Sequence, residues 1–436
     1  MTIPKSTHFI VICGIILLVL SFIDNIIMSN FLNSILERHS LSNLLTFTLL
    51  LVFAIAIQLV IFYSIRKRYS LFEKTITRSL FTFQVLLIFF MLISIILFAY
   101  LVVQIMLQGA YDTIIYKSII FSNYFFALAN MGILIYYLFS WFKRNHSIVM
   151  LVYFIAFSVF MINEIGSILI LYFQLDDRPQ KITFITNPWD SISLKILSFT
   201  DFYKLTSIIS FSITWVGTCL LMYHYSRKIG RWKFWLLAVL PLIYYIGNID
   251  IIRSAIFNHV LVFSPHLLLI VQIVLGGAKQ IGGFFFALAF IIISLKIDGQ
   301  KLKYFLLICA TGVMLLFSSN QISLVQVIPY PPFGLITISL LSISSFLVLV
   351  GLLSIASSMA YDKTLLENAR KIVREKASTF LYDIGSAQWQ KEMDSTIPAI
   401  MDVGAKQMDD TSVPPSLSEE EVRDYINELV EELKKA

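Results

Sequence analysis

Charge is what this chain has least of. Of its 436 residues only 14% are Asp, Glu, Lys or Arg, while 58% are hydrophobic; soluble domains carry about a quarter charged residues and about half apolar ones. A soluble domain and a charged, unfolded chain are both excluded. Cysteine is scarce too: Cys13, Cys219 and Cys309 lie far apart inside apolar runs, which excludes a disulfide framework and the paired spacing of zinc or redox motifs. There is no Walker loop, no HExxH and no GxSxG, so the usual phosphate-binding, zinc-hydrolase and serine-hydrolase signatures are missing. His259 and His266, seven apart near a span boundary, read as interfacial residues. No catalytic residue, metal site or cofactor is assigned.

What is present is a series of apolar runs long enough to cross a hydrocarbon core of about 30 Å. They fall at about 9–28, 44–64, 80–106, 119–141, 147–173, 205–225, 234–252, 266–295, 304–322 and 333–358. The fold class is therefore all-α: a polytopic helical membrane bundle of about 10 spans over residues 1–360, with a helical tail over 361–436. The first run has a short basic front, but Asp24 and Asn25 stand where a leader peptide carries small residues, so it reads as a retained helix.

Loop charge sets the topology, because short cytoplasmic loops are enriched in Lys and Arg. With ten crossings one side holds Arg66, Lys67, Arg68, Lys74 and Arg78, then Lys143 and Arg144, then Arg227, Lys228, Arg231 and Lys233, then Lys296, Lys301 and Lys303. The other side holds few basic residues in its short loops. Both termini are predicted to be cytoplasmic, in a cell (plasma) membrane. Residues 1–360 carry 23 Lys and Arg against 11 Asp and Glu, whereas 361–436 carry 10 against 16. That basic excess faces anionic lipid and gives no reason to expect nucleic acid. The single long external connection, 174–204, centres on the turn chemistry of Asn187, Pro188 and Trp189 and is expected to form a small cap.

Polar residues inside the spans are the candidate site. Lys279 stands among Gly276, Gly277, Gly282 and Gly283, at the middle of the run 266–295, where an ammonium costs about 2.5 to 3.5 kcal/mol and needs a partner, a cavity or water. On one helix Gln272, Gly276, Lys279, Gly283 and Ala287 form a stripe. Its glycines either break the helix or let another backbone approach closely. Glu164, beside Asn163 in the fifth span, is the deepest acidic residue and the expected partner. Asp250 is the second candidate, although Arg253 three residues on would occupy it.

Beyond the last span, Leu365, Leu366, Ala369, Ile372, Val373 and Phe380 keep helical spacing on a basic stem. Ser418 and Glu421 form a capping box for a closing helix, whose Val422, Tyr425, Ile426, Leu429, Val430 and Leu433 make an apolar stripe. That stripe needs cover from the tail itself, from a second copy or from a cytoplasmic protein.

The stretch Ile328-Pro329-Tyr330-Pro331-Pro332-Phe333-Gly334 resembles uncharacterised multi-pass membrane proteins of ammonia-oxidising archaea. So do Ile384-Gly385-Ser386-Ala387 and the closing acidic helix behind Pro-Ser-Leu. The likeness covers about the last 110 residues and implies an archaeal plasma membrane and a shared tail. Two functions are expected from these features. One is a membrane sensor or scaffold coupled through its tail to a partner; the other is a secondary transporter or channel with a midplane site around Lys279 and Glu164.

Overall fold

A computed structural model describes residues 5–28, 41–67, 74–176, 180–183, 194–223, 230–242, 270, 274, 277–296, 299–320, 330–361 and 380–393. The fold is all-α. Its helices are α1 (Lys5–Met28), α2 (Leu41–Lys67), α3 (Lys74–Gln108), α4 (Thr113–Asn145), α5 (Ile148–Asp176), α6 (Leu194–Met222), α7 (Arg231–Val239), α8 (Ala278–Lys296), α9 (Gln300–Ser319) and α10 (Leu335–Tyr361). An eleventh, α11, spans 380–393. Among the described residues nine helices, α1 to α6 and α8 to α10, are long and apolar enough to cross a membrane.

Helices outrun the apolar runs at several ends. α6 begins at Leu194, eleven residues before the apolar run at 205, because Ile196, Leu197 and Phe199 continue helical spacing into the connection. In the same region β1 (Ala110–Asp112) pairs antiparallel with β2 (Lys181–Thr183). Asn187, Pro188 and Trp189 lie outside the described residues. α7 ends in a 3-10 turn, Leu240–Leu242, that contains Pro241, where the ring removes a backbone donor and ends the regular ladder.

α9 and α10 form the buried centre. They approach through glycine: a Cβ on Gly312 would lie 2.6 Å from the Val348 nitrogen, and one on Gly351 would lie 2.7 Å from Cys309 Cβ. α10 is then tied to its other neighbours by side-chain hydrogen bonds. Ser21 of α1 donates to Thr337 at 3.2 Å, Gln58 of α2 to Ser339 at 3.1 Å, and Asn130 of α4 to Ser345 at 3.1 Å. Ser342 donates to Asn123 Oδ1 at 2.7 Å. α2 and α3, by contrast, leave most of their apolar surface exposed.

The start of α10 is capped from another helix. Asp24, fully buried in α1, accepts from the Gly334 N–H at 2.8 Å, the Thr337 N–H at 3.0 Å and the Thr337 hydroxyl at 2.9 Å. First-turn N–H groups have no partner inside their own helix, and their dipole end favours negative charge. Gly334 enters at φ +96°, a conformation glycine adopts without a steric penalty. One carboxylate thus joins the first and last spans, whose ends are 310 residues apart.

α11 closes the opposite end. Phe380, Leu381, Ile384 and Ala387 are buried, a Cβ on Gly385 would lie 2.5 Å from Met359 Cβ, and Trp141 Nε1 donates to Gln388 at 2.9 Å. The bundle therefore has a sheet end and a tail end. Asp24→Ala should destabilise the protein by about 1 to 3 kcal/mol, the cost of orphaned buried donors, and Asp24→Asn by less, since an amide oxygen still accepts. Thermal unfolding of the purified chain measures both; equal losses would contradict the cap.

Candidate functional site

Lys279 does not sit at the middle of a described helix. α8 begins at Ala278, its first turn closed by the Ile281 N–H to the Gly277 carbonyl at 3.0 Å, so Lys279 stands in that first turn. Gln272, Gly276 and Asp250 lie outside the described residues, as does the apolar stripe Val422, Tyr425, Ile426, Leu429, Val430 and Leu433. Gly282 and Gly283 lie within the continuous α8. A Cβ on Gly282 would collide with the Phe211 ring, and one on Gly283 would fall 2.6 Å from the Met314 carbonyl oxygen. These positions admit α6 and α9 at close range.

That approach brings the lysine to the end of α9. Lys279 Nζ donates to the Asn320 carbonyl oxygen at 2.5 Å and to the Tyr203 hydroxyl at 3.0 Å. Asn320 caps α9 with φ −88° and ψ 90°, so its carbonyl belongs to the negative end of that helix. A cation there is stabilised by the dipole and by carbonyls that lack intrahelical donors. Nζ also lies 5.2 Å from the Tyr203 ring centroid, a weaker contribution than the hydroxyl contact.

A layer of amides and hydroxyls surrounds this contact. Tyr203 donates to the Asn320 carbonyl at 3.1 Å, and Tyr124 of α4 lies 3.3 Å from Asn320 Oδ1. Asn320 Nδ2 donates to Asn163 Oδ1 at 2.8 Å. Asn163 Nδ2 then donates to the Tyr203 carbonyl and the Thr206 hydroxyl, each at 2.8 Å. α4, α5, α6, α8 and the end of α9 all contribute to it. Toward the tail end the layer rests on four rings: Phe286 packs on Phe317 with centroids 4.8 Å apart, on Phe211 at 5.0 Å, and Phe317 meets Phe160 at 5.4 Å.

Glu164 does not bond to Lys279. Its side chain is fully buried and neither carboxylate oxygen has a hydrogen-bond partner among the described residues. The expected pairing rested on depth alone, and consecutive residues on a helix point about 100° apart. Asn163 takes the direction of α6 and α9 through its bonds to Tyr203, Thr206 and Asn320, and Glu164, the next residue, does not share them. Among the described residues the lysine meets a helix end and a tyrosine hydroxyl.

Sequence reasoning missed Tyr203, Asn320 and Tyr124. The one available signal was the polar run Ser318, Ser319, Asn320 and Gln321 at the end of a span. Tyr203 sits in what reads as the external connection, and Tyr124 is one of 20 tyrosines, with nothing local to distinguish it. Among the described residues no three His, Cys, Asp or Glu side chains are gathered where a metal ion could sit.

If Tyr203 and Lys279 act as one unit, their substitutions should not add. Tyr203→Phe and Lys279→Met combined should show a coupling energy of about 0.5 to 3 kcal/mol in unfolding experiments. Strict additivity would contradict the contact. Compared with protein-family models, curated proteins and solved structures, the chain matches none.

Proposed function

We propose that this is an integral membrane sensor or scaffold of ten crossings, both termini cytoplasmic, that couples its bundle to a cytoplasmic partner through the helical tail. The nine long apolar helices among the described residues support the membrane setting. The observation that carries the coupling is the seating of α11 on the tail end of α4 and α10. Asn145 donates to the Asp383 carbonyl and the Ser386 hydroxyl, Trp141 to Gln388, and Lys391 lies 3.9 Å from the Tyr137 ring centroid. α4 carries Trp141 and Asn145 at one end and Tyr124 of the polar layer about 25 Å away, at 1.5 Å rise per residue. A change in that layer which shifts α4 would also change the seat of α11.

A secondary transporter or channel is the second reading, favoured by the buried polar layer itself, since intramembrane ionisable groups mark ion and substrate sites. The packed rings of Phe160, Phe211, Phe286 and Phe317 weigh against it, because they close the layer on its tail side.

Removal of residues 412–436 separates the two. A sensor so truncated loses a partner that the full chain retains in native membranes, and its signalling output with it. Vesicles containing the truncated chain that still carry ion flux at the full rate would instead support transport and contradict the sensor reading. A milder variant, Trp141→Phe, keeps an aromatic ring but removes the donor to Gln388. It should raise amide exchange in α11 while leaving the polar layer protected.

A further inference from the structure

We propose that Glu164 is the binding site of a monovalent cation, a proton or Na+, inside the bundle between α4 and α5. The inference rests on the membrane reading above but not on the tail. Glu164 is residue 17 of the 29 in α5, which places it about 24 Å from the tail end of that helix at 1.5 Å per residue. It is fully buried, and no described protein group bonds either carboxylate oxygen.

An ionised carboxylate cannot remain so. Taking it out of water with no partner costs several kcal/mol even after relaxation, a large part of the stability of any domain. Three remedies exist in principle: a cationic side chain, a bound cation or a bound proton. The expected cationic candidate, Lys279, is engaged at the end of α9 and with Tyr203.

A bound proton or a small cation is then the remedy left for the carboxylate. Ser167, one turn further along α5, donates to the Asn163 carbonyl at 3.1 Å, and Tyr124 of α4 reaches the same layer 3.3 Å from Asn320 Oδ1. The titratable groups of the surrounding layer are Tyr124 from α4, Tyr203 from α6 and Lys279 from α8, while α9 brings the uncharged Asn320. One carboxylate balances one positive charge. With no group of three His, Cys, Asp or Glu side chains gathered among the described residues, a divalent metal would lack the set of ligands it favours.

A glutamine at this position would present the same shape and no charge; only an acid can take up and release a cation. The four-ring floor then makes the occupant a bound ligand that changes the charge of the layer beside α4.

N,N′-dicyclohexylcarbodiimide tests this on the full chain in detergent or vesicles, because it adds to protonated carboxyl groups in apolar surroundings. The adduct is located by peptide mass spectrometry. Labelling at Glu164 should fall as pH rises. Na+ in place of choline should protect Glu164 if the site takes Na+, whereas a site that takes only protons responds to pH alone. No adduct at Glu164 at any pH, or an adduct indifferent to both pH and Na+, overturns the assignment. The melting temperature provides a second measurement: Glu164→Gln should abolish whatever pH or Na+ dependence the wild-type protein shows through this site, and an unchanged dependence overturns the proposal. Neither readout involves α11 or the residues after it, so this assignment and the coupling reading can fail separately.

Discussion

A polar group buried among apolar helices has no water to turn to, and among the described residues most such groups are satisfied by another helix or by their own backbone; Glu164 is the charged exception, beside the uncharged Gln84, Tyr153, Ser354 and Ser357. Unsatisfied amides and hydroxyls in hydrocarbon-like surroundings cost about 1 to 3 kcal/mol each, and charges cost more. In the lipid setting proposed above, this constraint orders the bundle more than apolar packing does, since lipid tails offer apolar side chains nearly the same environment as neighbouring helices. Asp24 satisfies the first turn of α10, and Ser339, Ser342 and Ser345 bind α10 to α2 and α4. Lys279 ends on the last carbonyl of α9. Each bond fixes a register between helices that greasy surfaces alone would leave loose.

The same constraint isolates Glu164. Its neighbours in the polar layer hydrogen-bond to one another: Asn163 with Asn320, Thr206 and Tyr203, and Tyr203 with Lys279. The carboxylate stands beside that set without joining it. A buried group that violates the rule its neighbours obey is where function is expected, because stability alone gives no reason to keep it.

Much of the architecture was legible in the chain. Apolar length places the helices, because backbone groups in such runs are satisfied only within a helix. Helix ends were less legible: α6 starts within the expected loop at Leu194, since helical geometry continues wherever side chains permit, whether or not they are apolar. The little sheet of β1 and β2 escaped notice because three-residue strands leave no period to detect. The site was half legible. Lys279, Asn163 and Glu164 stood out as polar residues in apolar runs, yet the partner of Lys279 did not, because a single helix reveals which face is inward and not what faces it. Asn320 lies 41 residues from Lys279 and Tyr203 lies 76, and a tyrosine near a span boundary has an interfacial role as its default reading.

The most direct measurement is a density map of the full chain in lipid nanodiscs, at a resolution that separates side chains. Lys279 density should run into the Asn320 carbonyl and the Tyr203 hydroxyl at the end of α9, with Glu164 apart from it. A Lys279 ammonium bonded directly to the Glu164 carboxylate would contradict this arrangement, because the two charges would then satisfy each other and leave no place for a cation.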